Sequence, residues 1–176
     1  MDKNELFDFY SKLYFHELET KEKYNSRLQF PLVVIVSLLS FSGYIFSGIN
    51  KWAFDNLFAL STILFIIGNG GILVSCYYFV RSYVSNSYYV LPYPTHIEKY
   101  RADMVEYYKD IACSQRYVED KLKGEIFQWM VTASTDNGFM NKERTYMLHN
   151  FNKWSIGSVL CLMCSFVLSQ LAAKLQ

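Results

Sequence analysis

The stretch that decides the fold is NLFALSTILFIIGNGGILVSCYYFV, at residues 56–80. It contains no Asp, Glu, Lys, Arg or His, although 19% of the whole chain is charged. A helix needs about 20 mainly apolar residues to cross the hydrocarbon core of a bilayer, because each residue adds about 1.5 Å. The stretch is therefore predicted to be a transmembrane helix.

Two further stretches, residues 28–50 and 154–173, share this lack of charge, so the 17 basic and 16 acidic residues all lie elsewhere. Charges scattered at random at this frequency would leave a given 20-residue window uncharged only about 1.5% of the time. The mean hydropathy of +0.06 hides this segregation. The pattern argues against an ordinary soluble enzyme, a disordered chain and a disulfide-stapled secreted domain, and the net charge of +1 gives no bulk attraction to nucleic acid.

The charge pattern divides the chain into an amphipathic N-terminal segment at 1–30, a transmembrane helical hairpin at 31–80, a cytoplasmic helical region at 81–153 and a third apolar helix at 154–173. The third apolar helix is long enough to span, and we interpret it as transmembrane. It would instead end near the membrane surface if the helices before it packed together along their whole length. The predicted fold is all-α, an integral membrane protein with two or three transmembrane helices.

The distribution of basic residues predicts the orientation. Arg27 and Arg81 flank the outer ends of the predicted hairpin, whereas Lys51 is the one basic residue in its short turn, next to Trp52. Cytoplasmic loops carry more Lys and Arg than the loops on the other side. The N-terminal segment and the region from 81 to 153 are therefore expected in the cytoplasm.

The cytoplasmic region is predicted to be a hairpin of long helices. Prolines at 92 and 94 mark a linker, and apolar residues at helical spacing predict one helix over about 96–133. The sequence STDNG at 134–138 predicts a turn, because it combines glycine with short polar side chains. A second helix is expected to start near 139–141 and to continue into the third apolar stretch.

Small and polar residues fall on one face of the third apolar stretch, at spacings of three or four residues: Ser155, Ser158, Cys161, Ser165 and Ser169. Such a face suits helix packing, where small residues allow close approach and hydroxyls bond across helices. It also suits the water-facing lining of an oligomeric pore. Both interpretations remain open at this point.

Two more features of the apolar stretches bear on this choice. The first stretch carries a similar polar face: Ser37, Ser40, Tyr44 and Ser47. Asn69 lies near the middle of the second stretch, and it favours a pore because an amide in the membrane interior needs a partner or water. The absence of charged residues from all three stretches argues against a proton pump, a voltage sensor or an ion-coupled transporter.

Arg144 and His149 are weak candidates for catalysis. Nucleases of the HEPN class carry Arg-x(4–6)-His, in which histidine transfers protons and arginine supports the charge of the phosphate. A regular helix would place these two side chains about 140° apart, which favours a structural role near the membrane. No metal or cofactor is predicted, because Cys161 and Cys164 have no second pair or nearby histidine to complete a zinc site. The chain is therefore predicted not to be an enzyme.

The Arg144–His149 pair, the charged N-terminal segment and the apolar spans together resemble the small accessory membrane proteins of type VI-B CRISPR systems. That family enhances RNA-guided RNA cleavage and phage defence, and the resemblance covers the full chain. It implies a homo-oligomeric ring that forms a pore in the bacterial inner membrane and compromises the membrane of infected cells. Thr145, directly after the arginine, departs from the class pattern and argues against nuclease activity.

The leading interpretation is an oligomeric membrane pore or membrane-perturbing effector in bacterial antiphage defence. Its expected partners are membrane lipid, further copies of the chain and an RNA-guided CRISPR effector. One alternative is a membrane-tethered ribonuclease that uses Arg144 and His149. Another is a scaffold that brings a cytoplasmic partner to the membrane through residues 96–133. Direct RNA contact is left open, because the Tyr-rich helix in that region is more typical of packing than of base stacking.

Overall fold

A computed structural model describes residues 3–48, 56–84, 87–110 and 114–174. Within these ranges the protein is all-α, as predicted, and consists of α1 (Lys3–Arg27), α2 (Gln29–Gly48), α3 (Asn56–Val84), α4 (Pro94–Tyr107) and α5 (Ser114–Lys174). The predicted turn with Lys51 and Trp52 lies outside the described residues.

Three helical stretches are long and apolar enough to cross a membrane. They are Asn4–Ser47, which covers nearly all of α1 and α2, then Leu57–Val84, and finally Gln115–Lys174. Each covers most or all of one charge-free stretch of the sequence. The prediction of apolar helices of spanning length is therefore confirmed for all three, including the third, whose role the sequence left open.

The chain divides into two compact units, each built from two separate segments. Tyr24–Asn86 and Glu143–Gln176 form one unit, which contains all three charge-free stretches and is called the apolar unit below. Met1–Lys23 and Ser87–Lys142 form the other, called the polar unit.

The apolar unit has a small core in which α2, α3 and the second half of α5 meet. The buried members of this core are Leu38, Ile45, Ile72 and Leu162. The helices α2 and α3, which the sequence predicts to form a hairpin, pack against each other. Many large apolar side chains point outward instead, and Leu73 is 72% exposed. Helices with apolar outer faces and a narrow shared core are suited to a lipid environment.

In the polar unit the chain folds back between α4 and α5, so the prediction of one helix over 96–133 is wrong. The helix α4 ends at Tyr107, and α5 begins at Ser114. Folding back buries Met104 of α4 against Val118 and Leu122 of α5, and a continuous helix would leave these side chains apart. The gain from apolar burial therefore outweighs the helical spacing of the sequence.

The predicted turn at 134–138 is also wrong, because α5 runs through it without a break. The short polar side chains find partners that are compatible with a helix. Thr135 donates its hydroxyl to the carbonyl of Val131, at 2.8 Å. The side chain of Asn137 is fully buried and makes two 2.9 Å hydrogen bonds to the backbone of Tyr89.

The linker predicted from the prolines is confirmed, since residues 87–93 are not helical. Asn137 holds this linker through Tyr89, and the hydroxyl of Tyr14 accepts a hydrogen bond from the backbone N–H of Leu91, at 3.1 Å. These contacts all lie inside the polar unit.

Beside the fold-back, Lys121 donates to the hydroxyl of Tyr108 at 2.8 Å, which raises the pKa of Lys121.

Candidate functional site

The polar residues of α5 in the apolar unit meet α3 across a narrow interface. Ser61 of α3 and Ser165 of α5 exchange hydrogen bonds, each hydroxyl donating to the backbone carbonyl of the other residue at 2.8 Å. Both side chains are almost completely buried. Because each hydroxyl reaches a backbone carbonyl of the facing helix, the backbones of α3 and α5 lie close together at this point. Ser165 is therefore placed in helix packing inside one chain.

A second hydroxyl pair joins the same two helices nearer to the charged end of α5. Ser75 donates to the carbonyl of Phe151 at 3.1 Å, and its hydroxyl lies 2.6 Å from that of Ser155. Ser75 and Ser155 are both buried. Ser155 thus also has its partner within the chain.

Glycines of α3 make the close approach between these serine pairs possible. A Cβ atom added at Gly71 would clash with the hydroxyl of Ser158, which donates to the carbonyl of Trp154 at 2.8 Å. A Cβ atom at Gly68 would lie 3.0 Å from the side chain of Leu162 and 3.4 Å from Cβ of Cys161. Ser158 and Cys161, two of the positions predicted for helix packing or for a pore lining, therefore face glycines of α3, as expected for tightly packed helices.

The remaining predicted residue of this face, Ser169, is partly buried. Its hydroxyl donates to the carbonyl of Phe166 of its own helix, at 2.7 Å. It takes no part in the two hydroxyl pairs with α3 described above.

Asn69 also has its partners within the chain. Its side-chain oxygen accepts a hydrogen bond from Ser42 of α2 at 2.7 Å, and its NH2 group donates to the carbonyl of Phe65 at 2.9 Å. From the sequence, Asn69 favoured a pore because an amide in the membrane interior needs a partner or water. Ser42 and Phe65 supply that partner, so Asn69 no longer favours a pore.

The polar face of α2 differs from the others because it lies on the surface of the apolar unit. All four of its members are exposed: Ser37, Ser40, Tyr44 and Ser47. The hydroxyls of Ser40 and Ser47 donate to carbonyls of their own helix, those of Val36 and Tyr44, both at 2.8 Å. A Cβ atom added at Gly43, on the same helix, would meet nothing within 4 Å. We refer to Ser37, Ser40, Tyr44 and Ser47 as the α2 polar face.

Arg144 is buried in the apolar unit and anchors three segments to one another. Its Nε donates to the carbonyl of Ser82 at 3.2 Å, and its Nη2 donates to Oδ1 of Asn25 at 2.9 Å. The guanidinium carbon lies 5.5 Å from the centre of the Tyr24 ring. Support of a phosphate would require these donors to face a ligand, whereas they face acceptors at the ends of α1 and α3. This arrangement matches the structural role that the sequence favoured.

His149 is exposed and lines an open cleft of about 630 Å³ in the apolar unit. The cleft lies where α1 passes into α2 and where α5 approaches its charge-free stretch. Its polar lining residues are Ser26, Gln29, Thr145, His149 and Asn152, and its apolar and aromatic ones are Tyr24, Phe30, Pro31 and Leu148. Arg144 is not part of this lining, so the two residues of the proposed nuclease pair do not face a common site.

The cleft and the partners of Arg144 were not found from the sequence. Tyr24, Asn25 and Ser82 lie more than 60 positions from Arg144 along the chain, and no spacing rule links them. The hydroxyls of Tyr24 and Thr145 share a hydrogen bond that joins two walls of the cleft. Only the packing of distant segments reveals this contact.

No metal site is apparent, since no three His, Cys, Asp or Glu residues cluster in the part of the chain that the structure describes. Comparisons with protein-family models, with curated proteins and with solved structures found no match.

Proposed function

We propose that the protein is an oligomeric membrane pore or membrane-perturbing effector that acts in bacterial antiphage defence. The observation that carries the proposal is the exposed α2 polar face. The polar residues of α3 and α5 bond one another inside the chain, whereas the hydroxyls of Ser37, Ser40, Tyr44 and Ser47 lie on the surface of the apolar unit.

A polar face of this kind is unfavourable against lipid tails. Polar groups in the hydrocarbon region have to find protein partners or water, because lipid offers neither donor nor acceptor. Ser40 and Ser47 reduce the penalty by bonding carbonyls of their own helix, which leaves their oxygen atoms at the surface as acceptors. In a ring of identical subunits, the same face of each copy would meet a neighbour or a shared aqueous channel.

The biological setting that we propose follows from the resemblance in organisation. The protein would lie in the bacterial inner membrane as a multi-pass protein and act with an RNA-guided RNA-cleaving CRISPR effector. Opening of the pore would then depend on a signal that binds the open arrangement better than the closed one, because equal affinity for both states shifts nothing. The buried contacts of Arg144 favour an anchoring role, and they give the alternative of a membrane-tethered ribonuclease no support.

Flux through liposome membranes tests the proposal. Purified protein reconstituted at high density is expected to release a trapped small dye or dissipate a potassium gradient. A double variant, Ser37→Leu with Ser40→Leu, is expected to insert normally and to lower the rate at least ten-fold, because it makes the α2 polar face apolar. Cys164→Leu is the matched control, since Cys164 is an exposed small residue on α5.

Each outcome of this experiment decides one part of the proposal. Liposomes that stay sealed with the unchanged protein contradict a pore or membrane-perturbing activity. Equal flux through the unchanged protein and the double variant would mean that the α2 polar face does not line the path.

A further inference from the structure

The cleft beside His149 lies at the depth of lipid headgroups if the apolar helices span a bilayer. The charge-free stretch of α5 begins at residue 154. At about 1.5 Å per residue, Asn152 lies roughly 3 Å and His149 roughly 7.5 Å from that boundary along the helix. The headgroup layer on each side of a bilayer is about 5–7 Å thick. Both polar side chains therefore fall within or next to this layer.

The lining of the cleft is polar in one part and apolar in another, as a lipid is polar at its headgroup and apolar along its acyl chains. Gln29, at the start of α2 and of the first charge-free stretch, is polar, and the next two residues, Phe30 and Pro31, are apolar. Phe30 is 67% exposed. A ligand in the cleft would thus meet hydrogen-bond donors at its outer end and an exposed aromatic surface towards the bilayer.

The polar groups of the cleft suit a phosphate diester. The side chains of Gln29, His149, Asn152 and Ser26 are all able to donate hydrogen bonds, and no Asp or Glu is among the lining residues. The guanidinium of Arg144 lies next to the Tyr24 ring, which itself lines the cleft. A positive charge close to the wall favours an anionic group in the cleft through Coulomb attraction.

We propose that this cleft binds the phosphate-bearing headgroup of a glycerophospholipid, whose acyl chains pass Phe30 into the bilayer. A volume of about 630 Å³ lies within the range of small-molecule sites and accommodates a headgroup with its glycerol, while the chains remain outside. The bound lipid would connect the end of α1, the start of α2 and α5. The proposal requires that the apolar helices lie in a membrane, and it does not require that the protein forms a pore.

Native mass spectrometry of the full chain tests the lipid site. The protein is reconstituted in nanodiscs of palmitoyl-oleoyl phosphatidylethanolamine and phosphatidylglycerol and then released into increasing detergent. We expect one lipid per chain to remain at detergent concentrations that remove the others. The double variant His149→Leu with Asn152→Leu is expected to lower this occupancy at least ten-fold, because it removes two donors and narrows the cleft.

Gln170→Leu serves as the matched control, because Gln170 is an exposed polar residue near the other end of α5. It is expected to leave lipid retention unchanged. Thermal unfolding followed by circular dichroism shows whether each variant is folded. If the double variant is not, the single variant Asn152→Leu replaces it, since Asn152 is exposed and its side chain can be changed without disturbing the core.

Two results would overturn the proposal. Equal lipid retention by the unchanged protein and a folded cleft variant would show that the retained lipid lies elsewhere. Displacement of the lipid by millimolar inorganic phosphate would show that the cleft takes a soluble phosphate compound. Because none of these measurements depends on flux, failure of the lipid site and failure of the pore proposal are distinguishable.

Discussion

Two serine-bearing faces with nearly the same spacing lie in the apolar unit, and their surroundings are opposite. Ser155, Ser158 and Ser165 of α5 are buried against α3, whereas Ser37 and Ser40 of α2 are exposed. Spacing alone shows which side of a helix a residue occupies, and it does not show what that side meets. The difference indicates that the α5 face holds the apolar unit together and that the α2 polar face remains available for neighbours or water.

The largest effect is expected where glycine permits the buried face to close. Gly71→Leu would push α3 away from α5. The hydroxyl of Ser158 could rotate away from the new Cβ atom, but the backbone carbonyl of Trp154 could not move to make room for the rest of the leucine side chain. We expect a loss of about 3 kcal/mol or more in the free energy of unfolding, the upper part of the range for overpacking. Equilibrium unfolding in detergent micelles measures it.

Gly43→Leu is the matched control for this substitution on α2. A Cβ atom at Gly43 meets nothing within 4 Å, so the stability is expected to change by less than about 0.5 kcal/mol. Equal losses from the two substitutions would mean that the α2 face is as tightly packed as the α5 face, and the comparison would fail.

The next largest effect is expected at the buried Arg144. It tests whether the burial of a polar side chain, and not its residue type, determines how much it contributes to the free energy of unfolding. Arg144→Leu leaves the carbonyl of Ser82 and the amide oxygen of Asn25 without this donor. Hydrogen bonds to a charged group contribute about 1.5–3 kcal/mol each, and the bond to the exposed Asn25 contributes least, so the unfolding free energy should fall by about 2–4 kcal/mol. Lys153→Leu, at an exposed position on the same helix, should have little effect.

A second substitution at the same position, Arg144→Lys, addresses the ribonuclease alternative. A purified protein that cleaves RNA, together with a folded Arg144→Lys variant that does not, would favour catalysis over anchoring. A comparable loss of stability in Arg144→Leu and in Lys153→Leu would contradict the anchoring role.

A smaller effect is expected at the hydroxyl exchange between Ser61 and Ser165. A double-mutant cycle with alanine at both positions should give a coupling of about 0.6–2 kcal/mol, because each hydroxyl donates to the backbone of the other residue. The corresponding cycle with Ser37→Ala and Ser40→Ala should be additive within about 0.3 kcal/mol. Strong coupling in the second cycle would contradict the distinction between the two faces.

The apolar helices could be predicted from the sequence because a charged side chain in lipid costs several kcal/mol. That cost is large enough to exclude charge from whole stretches, such as residues 56–80. The hairpin of α2 and α3 followed from the same pattern. Which of the serine faces would be buried could not be predicted, because both are rich in serine and have nearly the same spacing.

The errors in the polar unit have one physical cause, which is that tertiary contacts outweigh local preference. Asn137 belongs to a sequence typical of turns, yet it remains helical because its amide bonds the linker at Tyr89. The fold-back after Tyr107 carries no comparable breaker, and it is stabilised by burial of Met104 against Val118. The cleft beside His149 was also not predicted, since its walls come from two distant parts of the chain, residues 24–31 and 145–152.

The smallest effect is expected at Ser42, which compares a bonded and an exposed serine on the same helix. Ser42→Ala removes the donor to the oxygen of Asn69, while the NH2 group of Asn69 keeps its bond to the carbonyl of Phe65. Interhelical hydrogen bonds in membrane proteins average about 0.6 kcal/mol, so a loss of that size is expected in the unfolding free energy. Ser40→Ala should cost less, because the hydroxyl of Ser40 bonds the carbonyl of Val36, which its own helix already satisfies. Amide exchange or unfolding measurements in lipid nanodiscs resolve such differences when the two variants are compared side by side. If Ser42→Ala causes no loss in the unfolding free energy, water reaches the Asn69 oxygen and replaces the hydroxyl of Ser42. An aqueous path would then run beside α2 and α3, and the proposed pore lining would move from Ser40 to Asn69.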